Sequence, residues 1–242
     1  MKRHTLIERA GFYNHGPYGQ RFVESQLRAS DRWIQGQWVL GNDYRGSGMY
    51  GSYPPGYLPR IQTVFPDAAR VLHVFSGSLP RAATRALTTL DLRHTSEVVP
   101  GVRGSVTALP FTDRVFDLCY ADPPYTATDA VQYETPMIDR RRVLYEIHRV
   151  IEPGGFLVWM DTTLPMWRKE FWCWCGAIAL WRSSNHRVRG VHIFRRLARP
   201  GEAVQYDDTT LPLFPDGHGG SYAPGEDRPE QQHQENQAPV DS

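Results

Sequence analysis

Phe116-Asp117-Leu118-Cys119-Tyr120-Ala121-Asp122-Pro123-Pro124-Tyr125 is the stretch that decides the fold. Its first six residues form a short, mostly apolar run, which predicts a buried strand. Two prolines follow, and neither offers a backbone N–H to a central sheet. The chain therefore leaves the sheet at Asp122, at the carboxyl end of a strand. Open α/β sheets bind their ligands at such ends. The tetrad Asp122-Pro123-Pro124-Tyr125 puts a carboxylate, stiffened backbone carbonyls and an aromatic ring into one small space. Those are the parts needed to hold a planar base by its exocyclic amine. Taken alone, the same four residues also suit an ordinary proline turn that closes a strand.

The flanking sequence gives the tetrad a setting. Upstream, Val71 to Phe75 reads as a first buried strand, broken by Ser76-Gly77-Ser78 and followed by a predicted helix over Arg81 to Leu90. A strand, a small-residue turn and a helix open a Rossmann-like unit, in which glycine lets the backbone approach a ligand and the helix start offers free N–H groups. Leu90-Asp91-Leu92 falls where a second strand should end, so Asp91 is a candidate acceptor for ribose hydroxyls; a surface Asp in a turn is the alternative. Tyr53 to Tyr57 is turn chemistry, and a short helix is predicted over 56–65, ended by Pro66.

Downstream, Thr126 to Thr135 reads as a polar loop beside the site, with Thr128, Asp129 and Tyr133 in reach of a substrate. Thr135-Pro136 is a helix start, and Val143, Leu144, Ile147, Val150 and Ile151 recur at helical spacing. Arg140, Arg141 and Arg142 are expected on or near the exposed side of that helix. Pro153-Gly154-Gly155 ends it, and Phe156 to Met160 is the next strand. Residues 165–175 suggest a buried, Trp-rich helix. Ala177 to Trp181 and Val191 to Leu197 read as two strands joined by Arg182 to Gly190. Arg182, Arg187 and Arg189 in that turn suit contact with a nucleic-acid backbone.

These features, in this order, resemble the S-adenosylmethionine-dependent methyltransferases of class I that act on exocyclic amino groups, chiefly adenine N6 in DNA. Asp-Pro-Pro-Tyr is the catalytic motif of that family. The resemblance covers roughly residues 53–197; the tetrad is its one sharp motif, and the rest is similarity of fold. It implies that Asp122 and the Pro123 carbonyl accept hydrogen bonds from the target amine, that Pro124 stiffens the turn, and that Tyr125 stacks on a flipped-out base. The family's cofactor turn reads Phe-x-Gly-x-Gly, usually with Asp two residues before the Phe. This chain matches Phe75 and Gly77, with Ser76 and Ser78 between and after them. It departs at Leu79, which replaces the second Gly, and at His73, which replaces the Asp that holds the cofactor's amino-acid end. Val102 to Asp117, with Leu109-Pro110-Phe111 ahead of Phe116-Asp117, resembles the lead-in to the fourth strand of many class I enzymes. Ser105 stands there where an acid often meets the cofactor's adenine. The segment from Tyr53 occupies the place of one that helps cover the cofactor. The implied cofactor set is His73, Phe75, Ser76, Gly77, Ser78, Asp91, Ser105 and Asp122, and the implied substrate set adds Tyr125, Tyr133, Arg187 and Arg189. The implied fold is α/β: a Rossmann-like class I methyltransferase with a mostly parallel seven-stranded sheet, a C-terminal antiparallel hairpin and helices on both faces.

Composition narrows the partners. The 242 residues are 40% hydrophobic and 22% charged, which suits one α/β domain with additional segments. No run of about 18 apolar residues exists, so no membrane span is expected, and the start lacks the apolar run of a signal peptide. Three cysteines, Cys119, Cys173 and Cys175, suit reduced thiols in a cytoplasmic protein. Their spacing provides no zinc pair, so no metal is expected. Residues 201–242 carry nine acids against one base and lack periodicity, so a disordered acidic tail is expected. The first 200 residues hold 26 bases against 17 acids, which suits a phosphate-bearing partner. The domain reading is therefore an aromatic and basic arm over 1–52, a catalytic domain over 53–200 and the tail over 201–242. In the arm, a helix is expected over 20–35 and a loop over 46–51, with aromatics that either stack on bases or pack across the core.

The expected partner is nucleic acid, DNA ahead of RNA, with a homodimer or a second subunit as further partners. Competing readings are cytosine-N4 methylation, an RNA guanine-N2 or adenine-N6 methyltransferase, and an inactive methyltransferase-fold subunit, the last motivated by His73 and Leu79. A Rossmann dehydrogenase ranks lower, because no Gly-x-Gly-x-x-Gly follows the first strand.

Overall fold

The computed structural model describes residues 3–41, 53–77, 79, 87–94, 99–182 and 188–202. Its centre is a nine-stranded sheet in the order β1-β2-β8-β9-β7-β6-β3-β4-β5. The strands are β1 (Arg28–Ala29), β2 (Ile34–Leu40), β3 (Val71–Val74), β4 (Leu87–Asp91), β5 (Val102–Arg103), β6 (Phe116–Ala121), β7 (Ile151–Asp161), β8 (Trp172–Arg182) and β9 (Val188–Arg196). From β3 through β9 they form the expected seven-stranded Rossmann-like class I sheet. Strands β5, β4, β3, β6 and β7 run parallel, and β9 lies antiparallel between β7 and β8.

The chain builds outward from β3 through β4 to β5, then returns to the other side of β3 to lay down β6 and β7. That reversal makes the gap between β3 and β6 the topological switch point, where α/β sheets open a crevice. Register fixes what meets there: Val74 pairs with Ala121 on one side and Leu90 on the other. The turn after Val74, the tetrad after Ala121 and Asp91 therefore emerge side by side.

Each face of the sheet is covered. On one face, α1 (Leu6–His15) and α3 (Tyr57–Val64) pack with β2 over Val71, Leu118, Tyr120, Phe156 and Val158. A capping box starts α1, Thr5 and Glu8 each satisfying the other's backbone N–H. On the opposite face, α5 (Arg140–Val150) buries Val143, Leu144, Ile147 and Val150 against Leu72, Val74, Cys119 and Leu157. A short α2 (Pro17–Arg21) and α4 (Ala127–Gln132) complete the helices among the described residues. None is long and apolar enough to cross a membrane.

Several segments differ from the sequence reading. The helix expected over 20–35 is instead a five-residue helix, a 3-10 turn over Val23–Ser25 and a hairpin into β2. Ile34, Trp38 and Leu40 point inward while Gln35, Gln37 and Val39 point out, a period of two that propensity over the longer window hides. The helix expected over 165–175 is instead a loop and turn over 165–171 and then the start of β8 at Trp172. Trp172 and Trp174 face α5, Cys173 and Cys175 face α1, so both faces are apolar and only residue size alternates. The helix expected over Arg81 to Leu90 overlaps β4, and its remainder at 81–86 lies outside the described residues, as does the loop over 46–51. Thr126 to Thr135 is not all loop: Thr126 caps α4 through a reciprocal box with Asp129. Helix α5 starts at Arg140 rather than at Pro136, with the Asp139 side chain accepting from the N–H groups of Arg141 and Arg142.

The arm is a packing element over its described part. Tyr13 and Trp38 are fully buried and stacked, with ring centroids 5.4 Å apart. Arg9, also buried, forms two hydrogen bonds with the Asp67 carboxylate at 2.7 and 2.9 Å and lies over the Phe65 and Phe156 rings. Tyr44 and Tyr50 lie outside the described residues.

Candidate active site

The tetrad leaves β6 as a turn held from two sides. The Tyr125 hydroxyl donates to Asp122 Oδ1 at 2.5 Å. Arg140, at the first turn of α5, donates to the carbonyls of Pro124 (3.4 Å) and Tyr125 (3.2 Å), and not to that of Pro123. Arg140 is itself fixed by Asp161 at the end of β7, Nε to Oδ2 at 3.0 Å. Asp161 is wholly buried and also accepts from Trp159 Nε1 and from the N–H groups of Thr162 and Thr163. Arg140 thus corrects the expectation of a solvated face for the Arg run: its guanidinium clamps the tetrad. The available signal was Asp161, an acid closing an apolar strand next to β6, because a buried carboxylate requires a cation or donors.

Asp122 sits in a poorly solvated place. Burial pushes its carboxyl up to about 6, although the Arg189 charge and the Tyr125 hydrogen bond pull it down. Arg189, on β9, places its guanidinium carbon 5.0 Å from the centre of the Tyr125 ring. Tyr53 and Tyr57 are stacked on each other, 5.0 Å between centroids, close enough to Asp122 that its charge helps raise both phenols further. Tyr133, the residue after α4, is half-buried within electrostatic reach of Arg189. Asp129 is committed to its cap, Thr128 is exposed, and Arg187 lies outside the described residues.

The turn after β3 faces the tetrad. Phe75 and Gly77 both adopt positive φ, 55° and 51°. A non-glycine residue in that region stores roughly 1–2 kcal/mol of strain, which the sheet on either side must hold. The Ser76 N–H donates to Leu90 O at 3.2 Å, and the Gly77 N–H donates to Asp91 Oδ2 at 2.8 Å. Asp91 therefore lies at the turn, as its strand-end position implied, with its other oxygen accepting from the Arg93 N–H. Ser105 follows β5, its hydroxyl bonded to Thr107 Oγ1 at 2.8 Å. Ser78 lies outside the described residues.

His73 departs from the role of the family's Asp. It is fully buried in β3, and its Nε2 meets the Tyr53 hydroxyl at 2.7 Å. Burial lowers its pKa to about 3, so the ring is neutral and supplies no charge to a cofactor. Tyr53 was legible only as part of a turn, because its partner lies twenty residues away on a strand. Leu79 packs against the core beside α1 and α3.

Residues 79–159 match the profile of a family described as a methyltransferase domain. No curated protein matches the chain. Among solved structures, TrmN from Thermus thermophilus is 16% identical, with 64% of this chain and 52% of that chain covered and a TM-score of 0.47. The chain thus spans about half of TrmN's length. An S-adenosylmethionine-dependent methyltransferase from Methanosarcina mazei is 14% identical over 54% of this chain and 93% of that one, TM-score 0.37. The 1,6-didemethyltoxoflavin-N1-methyltransferase of Burkholderia thailandensis, solved with S-adenosylhomocysteine, is 13% identical over 57% and 76%, TM-score 0.41. Likeness at this level says nothing of substrate.

The sheet order from β3 through β9 is that of the Rossmann-like class I methyltransferase fold, whose cofactor is S-adenosylmethionine, and residues 79–159 match a methyltransferase domain. The turn fits such a group. Ser76 Oγ is buried without a hydrogen-bond partner among the described residues, and a side chain added at Gly77 would meet none of the described residues within 4 Å. Ser76 and Gly77 would hold the cofactor's amino-acid end and Asp91 its ribose.

Proposed function

We propose that this protein methylates the exocyclic amine of a nucleic-acid base, with adenine N6 in DNA as the leading substrate. The observation that carries the reading is the Asp122 carboxylate, bonded to the Tyr125 hydroxyl at the end of β6, one strand away from the Phe75–Gly77 turn. The cofactor supplies a methyl group on a sulfonium centre. Asp122 and the Pro123 carbonyl accept the two N–H groups of the amine and turn its lone pair toward that methyl. An exocyclic amine shares its lone pair with the ring, so two acceptors raise its nucleophilicity and stabilise the positive charge that builds on nitrogen. A nitrogen–carbon bond forms as the sulfur–carbon bond breaks. The proton that then leaves the nitrogen goes to Asp122, whose pKa near 6 suits it to accept and release a proton close to neutrality. Tyr125 stacks on the base, which offsets part of the cost of unstacking, about 1–3 kcal/mol per base.

The test is transfer of labelled methyl from S-adenosylmethionine to DNA and RNA, followed by digestion to nucleosides. Label in N6-methyladenine from DNA is the expected result. Label only in RNA sinks the DNA reading, and label in N4-methylcytosine or N2-methylguanine sinks the adenine reading. Gly77→Arg serves as the control without cofactor binding, because its side chain would meet none of the described residues over the turn and Gly77 holds a positive φ that arginine rarely adopts.

A further inference from the structure

Arg189 and Tyr125 are arranged in a way the proposed chemistry does not tolerate. The guanidinium carbon lies 5.0 Å from the Tyr125 ring centre. No base fits between a guanidinium and a ring at that separation, so Arg189 takes up a stacking face that a base would use. Arg189 also brings a full positive charge to Asp122, which is to receive the amine, and to Tyr125, which is to stack on the base. A fixed cation there opposes the positive charge that grows on nitrogen during transfer, and the more so in a poorly solvated site. Arg189 must therefore leave the ring when a base arrives. A guanidinium withdrawn from a carboxylate and an aromatic face needs another partner, and a flipped nucleotide brings one on its own backbone. Phosphate suits guanidinium by both charge and geometry. Arg189 projects from β9, where it pairs with Leu180 of β8, one residue before the pairing of β9 with β7 begins at Gly190.

We propose that Arg189 is a phosphate-binding gate: it occupies the Tyr125 face until a base arrives, then pairs with a phosphate of the same substrate strand. This rests on the methylation reading above and narrows it. The substrate is a base carried on a phosphate-linked strand, and a free nucleoside lacks the group that draws Arg189 off the ring.

Binding tests the gate without requiring turnover. The full-length wild type, Arg189→Gln and Arg189→Lys are titrated with fluorescent single-stranded DNA and RNA oligonucleotides containing one adenine, across a range of salt. The same titrations use oligonucleotides with neutral methylphosphonate linkages on both sides of the adenine. Arg189→Gln is expected to bind about tenfold more weakly and to lower the salt slope by about one. Neutral linkages should weaken the wild type by a similar factor and leave Arg189→Gln little affected. Arg189→Lys keeps the charge and should keep the slope. An unchanged slope in Arg189→Gln, or an equal effect of the neutral linkages on both proteins, overturns the gate and leaves Arg189 as a prop for Tyr125. Failure of the methylation reading is separate: the wild type would bind these strands with the predicted slope and transfer no methyl to them.

Discussion

At the scale of single residues, the site turns on one carboxylate. The usual aspartate value is 3.8, and burial raises Asp122 to about 6 against the pull of Arg189 and Tyr125. Two consequences have opposite signs. Asp122 can take the proton of the amine only when ionised, so kcat/KM for methyl transfer should fall as pH drops through about 6, measured at saturating cofactor. For stability, the folded protein holds this proton more tightly than the unfolded chain between about pH 4 and pH 6. The contribution of Asp122 to stability is therefore greatest below pH 4 and is lost as pH rises through 6. Asp122→Asn removes that loss. Its melting temperature should exceed the wild type's at pH 8 and match it near pH 4, while methyl transfer is abolished. A variant less stable than wild type at pH 8 would mean that the carboxylate supports the fold rather than straining it. His73 shows the converse residue-scale lesson: burial holds it neutral near its Tyr53 partner throughout the working range.

At the scale of elements, the tetrad owes its shape to a neighbour in the sheet and a neighbour in the helix layer. Arg140 reaches from α5 to two carbonyls of the turn and to Asp161 at the end of β7. Asp161 is fully buried, so removing the cation leaves a desolvated charge supported only by its N–H donors. Breaking a buried pair from one side typically destabilises by roughly 3–5 kcal/mol, and the remaining donors put Arg140→Met at the lower end. The turn should also drift, and a misplacement of about 1 Å can lower a rate by a factor on the order of 100. Arg140→Met should therefore lower kcat more than it raises KM for the cofactor, and Arg140→Lys should recover part of the stability, measured by urea unfolding, without recovering the rate. Equal kcat in Arg140→Met and wild type would remove the clamp from the mechanism.

At the scale of the molecule, two buried arginines tie flanking segments to the sheet. Arg9 joins α1 to Asp67 and lies over Phe65 and Phe156. Arg196, at the end of β9, is 1% exposed, donates to His148 O at 2.8 Å and holds Glu202 at 2.7 and 2.8 Å. The Arg196 hydrogen bonds hold the Glu202 carboxyl down at about 2. Glu202 therefore packs on the sheet domain, two residues past the expected boundary at 200. Asp67→Ala and Glu202→Ala each remove the carboxylate partner of a buried guanidinium that keeps its backbone acceptors, and each should cost about 3 kcal/mol, the lower end for a broken buried pair, by denaturant unfolding. Additive losses in the double variant would match two separate sites, while a loss under about 1 kcal/mol for Asp67→Ala would mean the arm is not integral to the domain.

The amino-acid sequence by itself determined the local grammar of the site. Pro123 and Pro124 end a strand wherever they stand, Gly77 permits a positive φ, and the apolar runs at 71–75 and 116–121 can only be buried. These are properties of neighbouring residues, so they survive without tertiary contacts. The first residues of β8 and of β2 read as helix because period and propensity compete over short windows, and only pairing along β8, β9 and β2 decides between them. What tertiary structure alone decided is every partnership across long separations: Tyr53 with His73, Arg140 with the tetrad and Asp161, Arg189 with Tyr125. Such pairs depend on strand order and register, which bring distant residues to one end of the sheet, and neither is written in the spacing of residues along the chain.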